Sequence, residues 1–286
     1  MVTCVSDEKR ILIVDDDRDV HQLLAAALTA PDRKIDSAYD GQEGLERFEA
    51  AAYDLVLTDV NMPRLDGMAL LARIRMLRPA TKVVVMTVAN TPETLIHAIR
   101  QEAFAYFSKP FTLSAVEEMV NQALAGAPAE NDIEVLSARP KWLELRLRCK
   151  RETADRILQF LRELRIGLPP EEEDSVAMAF RELLFNAIEH GGKFDPQKTV
   201  TITYVRAEKA ILYRVRDPGQ GFSLDQLPHA AVSNPLDSPL EHVEIRDRMG
   251  MRPGGFGIFM TRAMVDELIY NEAGNEVLLI KYLAAG

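Results

Sequence analysis

Short apolar runs alternate with amphipathic stretches over residues 10–125, and the pattern predicts strands near 10–14, 34–38, 54–58, 82–87 and 104–107. Between the first two, Val20, Leu23, Leu24 and Ala27 fall at helical spacing, and Leu70, Leu71, Ile74 and Leu77 do so after the third. Strands and helices in this alternation predict an α/β domain, a doubly wound five-stranded parallel sheet. Ligands of such sheets sit beyond the carboxyl ends of the strands. Polar residues collect there: Asp15 and Asp16 after the first run, Asp59 after the third, Thr87 closing the fourth and Lys109 after the fifth.

The alternation stops near Ala125, and GAPAENDIEVLSARP (126–140) reads as a polar linker with Gly and two prolines. Its length leaves no room for a helical hairpin bearing a phosphorylatable histidine. From 141 the pattern restarts. Trp142, Leu143, Leu145 and Leu147 suggest a strand, and Ala154, Ile157, Leu158, Leu161 and Leu164 mark a helix. Over 172–190, Val176, Phe180, Leu183, Leu184, Ala187 and Ile188 form one apolar face, while Glu182, Asn186 and His190 recur at i, i+4 and i+8 beside it. Strands near 199–206, 209–216 and 276–283, with a helix at 257–269, complete an α+β sandwich, its sheet antiparallel or mixed. The domains expected are therefore 1–125 and 141–286, joined by 126–140.

Composition narrows the setting. The chain has 286 residues, 47% of them hydrophobic and 27% charged, enough for two domains with full cores. No apolar run approaches the roughly 18 residues that span a bilayer, and MVTCVSDEKR lacks a signal-peptide apolar region, so a cytoplasmic location without membrane anchoring is expected. A net charge of −10 opposes phosphate-backbone binding, and no helix-turn-helix candidate is left over, so direct nucleic-acid contact is not expected. Cys4 and Cys149 lack metal-type spacing and read as reduced thiols.

The first polar set has a coherent chemistry. Clustered carboxylates repel one another and call for a hard cation such as Mg²⁺, which takes one or two carboxylates, a carbonyl and waters. A nucleophilic aspartate could then attack a phosphoryl group whose oxygens are held by metal, ammonium and hydroxyl. The second set suits a nucleotide. The amide oxygen of Asn186 can bind Mg²⁺ beside phosphates, and Glu182, one turn earlier, can take a proton from a nucleophile. DPGQGF (217–222) offers a carboxylate for an exocyclic amine, and GGFGIFM (254–260) places glycines just before a helix start, where free N–H groups attract phosphate. A P-loop is absent from the sequence.

ILIVDDD (11–17), LVLTDVNMPRLDG (55–67), VVVMT (83–87) and FSKPF (107–111) together resemble a response-regulator receiver domain. The resemblance implies Asp59 as phosphoacceptor, Asp15 and Asp16 as metal-binding acids and Asn61 as a carbonyl ligand. Thr87 and Lys109 match the switch hydroxyl and the phosphate-contacting lysine, a cis bond is implied before Pro110, and Tyr106 matches the rotating aromatic. Val88 departs from the family's usual small residue, which is expected to narrow access to Asp59.

RELLFNAIEHG (181–191), RVRDPGQGF (214–222) and RPGGFGIFMTRAMVDEL (252–268) resemble the GHKL ATPase superfamily, and within it the anti-sigma-factor serine/threonine kinases. That implies Glu182 as general base, Asn186 as Mg²⁺ ligand, Asp217 as adenine reader, and Gly219, Gly221, Gly255 and Gly257 shaping the pocket and lid around ATP. Glu189 stands where histidine kinases often carry a base. Arg246, Arg248 and Arg252 fall in the expected lid, as does His242, which is discounted as a phosphorylation site. The expected whole is a response regulator whose aspartyl phosphorylation, by an upstream histidine kinase or phosphotransfer protein, controls an ATP-dependent protein kinase. An anti-anti-sigma protein is its implied substrate, a sigma factor its competing partner, and homodimerisation is common to both families. Two alternatives stay open: a partner-sequestering switch with structural ATP, and a histidine-kinase fragment acting on a separate phosphotransfer protein.

Overall fold

The computed structural model describes residues 8–88, 91–125, 132–139, 141–164, 167–221 and 257–283. The chain divides into two compact units, Met1–Asn131 and Asp132–Gly286.

In the first unit, β1 (Lys9–Val14), β2 (Arg33–Ala38), β3 (Leu55–Asp59), β4 (Lys82–Thr87) and β5 (Ala105–Ser108) form one parallel sheet in the order β2-β1-β3-β4-β5. Helices α1 (Arg18–Leu28), α2 (Gly41–Ala50), α3 (Gly67–Leu77), α4 (Pro92–Arg100) and α5 (Leu113–Ala125) connect and follow the strands. The central strands are buried along their length, as a sheet covered on both faces requires, and this explains their unbroken apolar runs. Ile11, Ile13, Leu57, Val84 and Met86 pack with Leu24, Val116 and Val120 of α1 and α5. Aspartates start three of the helices: Asp17, Asp40 and Asp66 each accept a backbone N–H of the first turn. The chain reverses direction across the sheet between β1 and β3, so their carboxyl ends, bearing Asp15 and Asp59, face one crevice.

The second unit is an antiparallel six-stranded sheet under helices, ordered β10-β11-β9-β8-β7-β6. Its strands are β6 (Ile133–Arg139), β7 (Trp142–Arg148), β8 (Thr199–Arg206), β9 (Ala210–Arg216), β10 (Glu267–Tyr270) and β11 (Glu276–Tyr282), and its helices are α6 (Arg151–Glu163), α7 (Pro170–Asn186) and α8 (Gly257–Met264). Leu143, Leu145 and Leu147 of β7 alternate inward, and this strand packs under α6 while α7 lies over β9 and β11. Phe180 of α7 stacks on Tyr213 of β9 at 4.7 Å between ring centroids, and Tyr213 meets Tyr204 at 5.3 Å.

Three expectations are corrected. Residues 133–139, expected as linker, form β6, because Ile133, Val135 and Ala138 pair with Leu147, Leu145 and Leu143 on either side of a bulge. Residues 126–131 of that linker lie outside the described residues. The helix expected to reach 269 stops at Met264. There Asp266 donates its N–H to Ile280 and accepts the N–H of Tyr282, drawing Glu267–Tyr270 into the sheet against β11. Pairing with a neighbouring strand outweighs helical spacing here. The long helix over 172–190 is α only to Asn186, then widens into a π-helical turn, Ala187–Gly191.

Phe180→Ala should destabilise the second unit by about 3–5 kcal/mol, the cost of an unfilled cavity beneath Tyr213. Urea denaturation followed by the near-ultraviolet tyrosine signal reads it.

Candidate functional site

In the first unit Lys109 joins two buried acids. Its Nζ lies 2.7 Å from Asp15 Oδ2 and 2.7 Å from Asp59 Oδ1. The other oxygens are also held: Asp15 Oδ1 accepts the Asp17 N–H at 3.0 Å, and Asp59 Oδ2 accepts the Asn61 N–H at 2.6 Å. Burial raises the Asp59 carboxyl above the usual range, against the pull of Lys109 in the other direction. Burial depresses Lys109, but the hydrogen bonds it donates to Asp15 and Asp59 outweigh that, and its pKa is raised overall. Thr87 is fully buried at the end of β4, and its carbonyl accepts the Lys109 N–H at 2.7 Å, tying the ends of β4 and β5 together.

The sequence-predicted residues therefore converge, with one exception. Asp16 is exposed, and among the described residues no three His, Cys, Asp or Glu side chains gather as a metal cage. Two carboxylates already share one cation in Lys109, and their oxygens are of the type that Mg²⁺ takes. The Lys109–Pro110 bond is cis as expected, and Tyr106 is turned fully inward. Val88 is 72% exposed, so its bulk faces solvent at the strand end.

Two residues were not singled out from the sequence. Buried His21 brings Nε2 to 2.8 Å from the Asp15 carbonyl, and Arg64, in left-handed backbone at φ 66°, pairs with Asp40 at the start of α2. Neither carries a spacing signal, since each acts on backbone or loop geometry.

In the second unit Asn186 Nδ2 stands 3.5 Å from Glu182 Oε1. Gly257, the first residue of α8, presses on the same carboxylate: a carbon added there would stand 2.0 Å from Oε1. Asp217 directly follows β9, its Oδ1 accepting the Gly219 N–H at 2.7 Å, and burial raises its carboxyl above the ordinary range. Gly191 closes the π-helical turn against Asp217, 2.3 Å being all the room a side-chain carbon would have. The turn follows Asn186 directly and ends at Gly191 against Asp217, and π-turns concentrate at functional sites. Gly221 adopts φ 78° beside the Ala273 carbonyl, a conformation suited to glycine. His190 and Glu189 are exposed, and burial pushes the Cys149 thiol up to about 11. Gly255, Arg246, Arg248, Arg252 and His242 lie outside the described residues. No helix among the described residues is long and apolar enough to cross a membrane.

Comparison with known proteins agrees with this division. Residues 11–121 match the response regulator receiver domain family and residues 147–281 the histidine kinase-like ATPase domain family. The transcriptional regulatory protein ZraR of Salmonella typhimurium is 36% identical over 115 residues, 40% of this chain and 26% of that protein. The regulatory protein AtoC of Escherichia coli K12 is 34% identical over 137 residues, 46% of this chain and 30% of its own length. The chain thus spans about a quarter to a third of these relatives. A solved receiver domain from Clostridium thermocellum is 30% identical, with 41% of this chain and 94% of that one covered and a TM-score of 0.38.

The raised Asp59 carboxyl gives a signed pH effect. A carboxyl whose pKa is higher folded than unfolded costs stability once ionised, and the cost vanishes as pH falls below the unfolded aspartate range. Asp59→Asn should therefore stabilise the protein at neutral pH, and the gain should shrink on acidification. Thermal melts of both proteins across pH 3–8 check the slope.

Proposed function

We propose that this chain, a response-regulator receiver domain followed by a histidine kinase-like ATPase domain, is a phosphorylation-controlled, ATP-dependent protein serine/threonine kinase. The observation that supports the reading is the presence in one chain of two arrangements suited to phosphoryl groups: Asp59 held between Lys109 and the Asn61 N–H, and Glu182 with Asn186 beneath the start of α8.

In the receiver, an Asp59 oxygen would form the bond to phosphorus as the donor's bond to that phosphorus breaks. Lys109 and Thr87 would steady the phosphoryl oxygens. Asp15, Asp59 and Asn61, with exposed Asp16 at the rim, would hold Mg²⁺, which supplies positive charge for the oxygens in flight. The upstream donor would be a histidine kinase or phosphotransfer protein. In the ATPase domain Asp217 would read the adenine amine through the oxygen that Gly219 leaves open, and Asn186 would face the metal and phosphates. Glu182 would take the proton of the acceptor hydroxyl. Resemblance to the anti-sigma kinases favours an anti-anti-sigma protein as acceptor and a sigma factor as competing ligand. Exposed Glu189, where histidine kinases carry a base, agrees with that branch.

Asp59→Ala should abolish an acid-labile label from a small phosphodonor, and Lys109→Ala should slow labelling by at least about tenfold. Label retained on Asp59→Ala protein would displace Asp59 as acceptor.

Asp217→Asn should lose discrimination between adenine and guanine nucleotides in calorimetry. Glu182→Ala should keep nucleotide affinity while losing transfer, the mark of a group needed mainly in the transition state. A phosphoryl mimic on Asp59 should shift nucleotide affinity roughly 5–150-fold, a coupling of about 1–3 kcal/mol, with Thr87→Ala as the uncoupled control. Unchanged affinity with the mimic bound would remove the regulatory reading.

A further inference from the structure

Beside Glu182, on the next stripe of α7, lies a ladder of cations and rings. The Arg181 guanidinium carbon is 5.0 Å from the centre of the Phe185 ring, and that of Arg151 is 5.3 Å from the same ring and 5.6 Å from Phe194. Both arginines are exposed, and neither makes a salt bridge among the described residues. Two guanidiniums gathered at one ring make a local positive surface that favours a negative group over it. Arg151 also opens α6 behind Lys150, where no side-chain cap forms and the helix end is already positive, with Glu152 the acid of that turn.

A second observation is independent of charge. Lys193 and Phe194 hold consecutive left-handed conformations, at φ 58° and 52°, uncommon for non-glycine residues and unfavourable for a bulky one. The result is a Phe194 ring 37% exposed and seated on Arg151 instead of buried in the core. Strain kept to present an aromatic ring at the surface points to use of that surface. Met178, three residues before Arg181 and 58% exposed, extends the same face. Methionine, phenylalanine and arginine are the residues enriched where proteins meet.

We propose that Arg151, Arg181, Phe185 and Phe194 form the docking surface for the protein that receives the phosphoryl group, and that they select a segment bearing aspartate or glutamate next to the acceptor hydroxyl. Charge complementarity names the occupant: unpaired guanidiniums backed by rings, in a chain whose net charge is −10, offer a local exception to its acidity. The position supplies the purpose. Arg181 directly precedes Glu182, so the proposed docking stripe and the proposed base share one helix, on neighbouring faces of it. The inference rests on the kinase reading above, but docking is measurable without turnover.

Two fluorescent serine peptides of equal length, one flanked by Asp/Glu and one by Lys/Arg, are titrated with the full chain in Mg-ATP and followed by anisotropy. The acidic peptide should bind about tenfold more tightly than the basic one. R151E/R181E should reverse the preference, and R151A alone should weaken it, both with ATP affinity unchanged. Equal binding of the two peptides, or an acidic preference surviving in R151E/R181E, overturns the proposal. Phosphate transfer to the bound serine is scored separately: a binding preference without transfer upholds the docking surface and counts against the kinase reading.

Discussion

Two carboxylates buried within reach of one another are tolerable only with positive charge between them, and the receiver unit is arranged around meeting that demand. Lys109 meets it, at 2.7 Å from both Asp15 and Asp59. Each partner comes from a different strand end, so the pocket exists only when β1, β3 and β5 have the order and parallel direction seen in the sheet. The apolar runs that bury those strands on both faces thereby set the positions of three charges. Burial raises the Asp59 carboxyl above its ordinary range while the ammonium opposes the rise.

The second unit depends on close approach more than on charge. Gly257 lets the start of α8 touch Glu182, and Gly191 lets the π-helical turn touch Asp217. A methyl group at Gly191 would collide with the Asp217 side chain down to its Cβ, and one at Gly257 would force the Glu182 carboxylate aside. The widened turn after Asn186 is what redirects the chain toward Asp217, and a regular α-helix would not bring Gly191 there at the same spacing.

Much of this was legible in the sequence. Strand ends in the first unit carried their polar residues in order, because in a doubly wound sheet topology alone converts order into proximity. Glu182 and Asn186 were legible from helical spacing. The misreadings of β6 and β10 share a cause: in each, pairing with the next strand overrode the pattern of the segment itself. β6 was hidden because its partner β7 decides its conformation, and its own run contains polar residues and a bulge. Glu267–Tyr270 kept a helical rhythm until β11 captured it. His21 and Arg64 act through a backbone carbonyl and a loop turn, for which side-chain periodicity has no symbol.

The place of β6 has a practical consequence for dissecting the chain. Among the described residues it is the edge of the second sheet, paired with β7 alone. A fragment cut at residue 141, where sequence alone sets the boundary, would strip β6 away and leave the amide row of β7 open to solvent. An open row of that kind recruits strands from other molecules. Aggregation of such a fragment would then report where it was cut, and a soluble ATPase fragment has to begin ahead of Asp132.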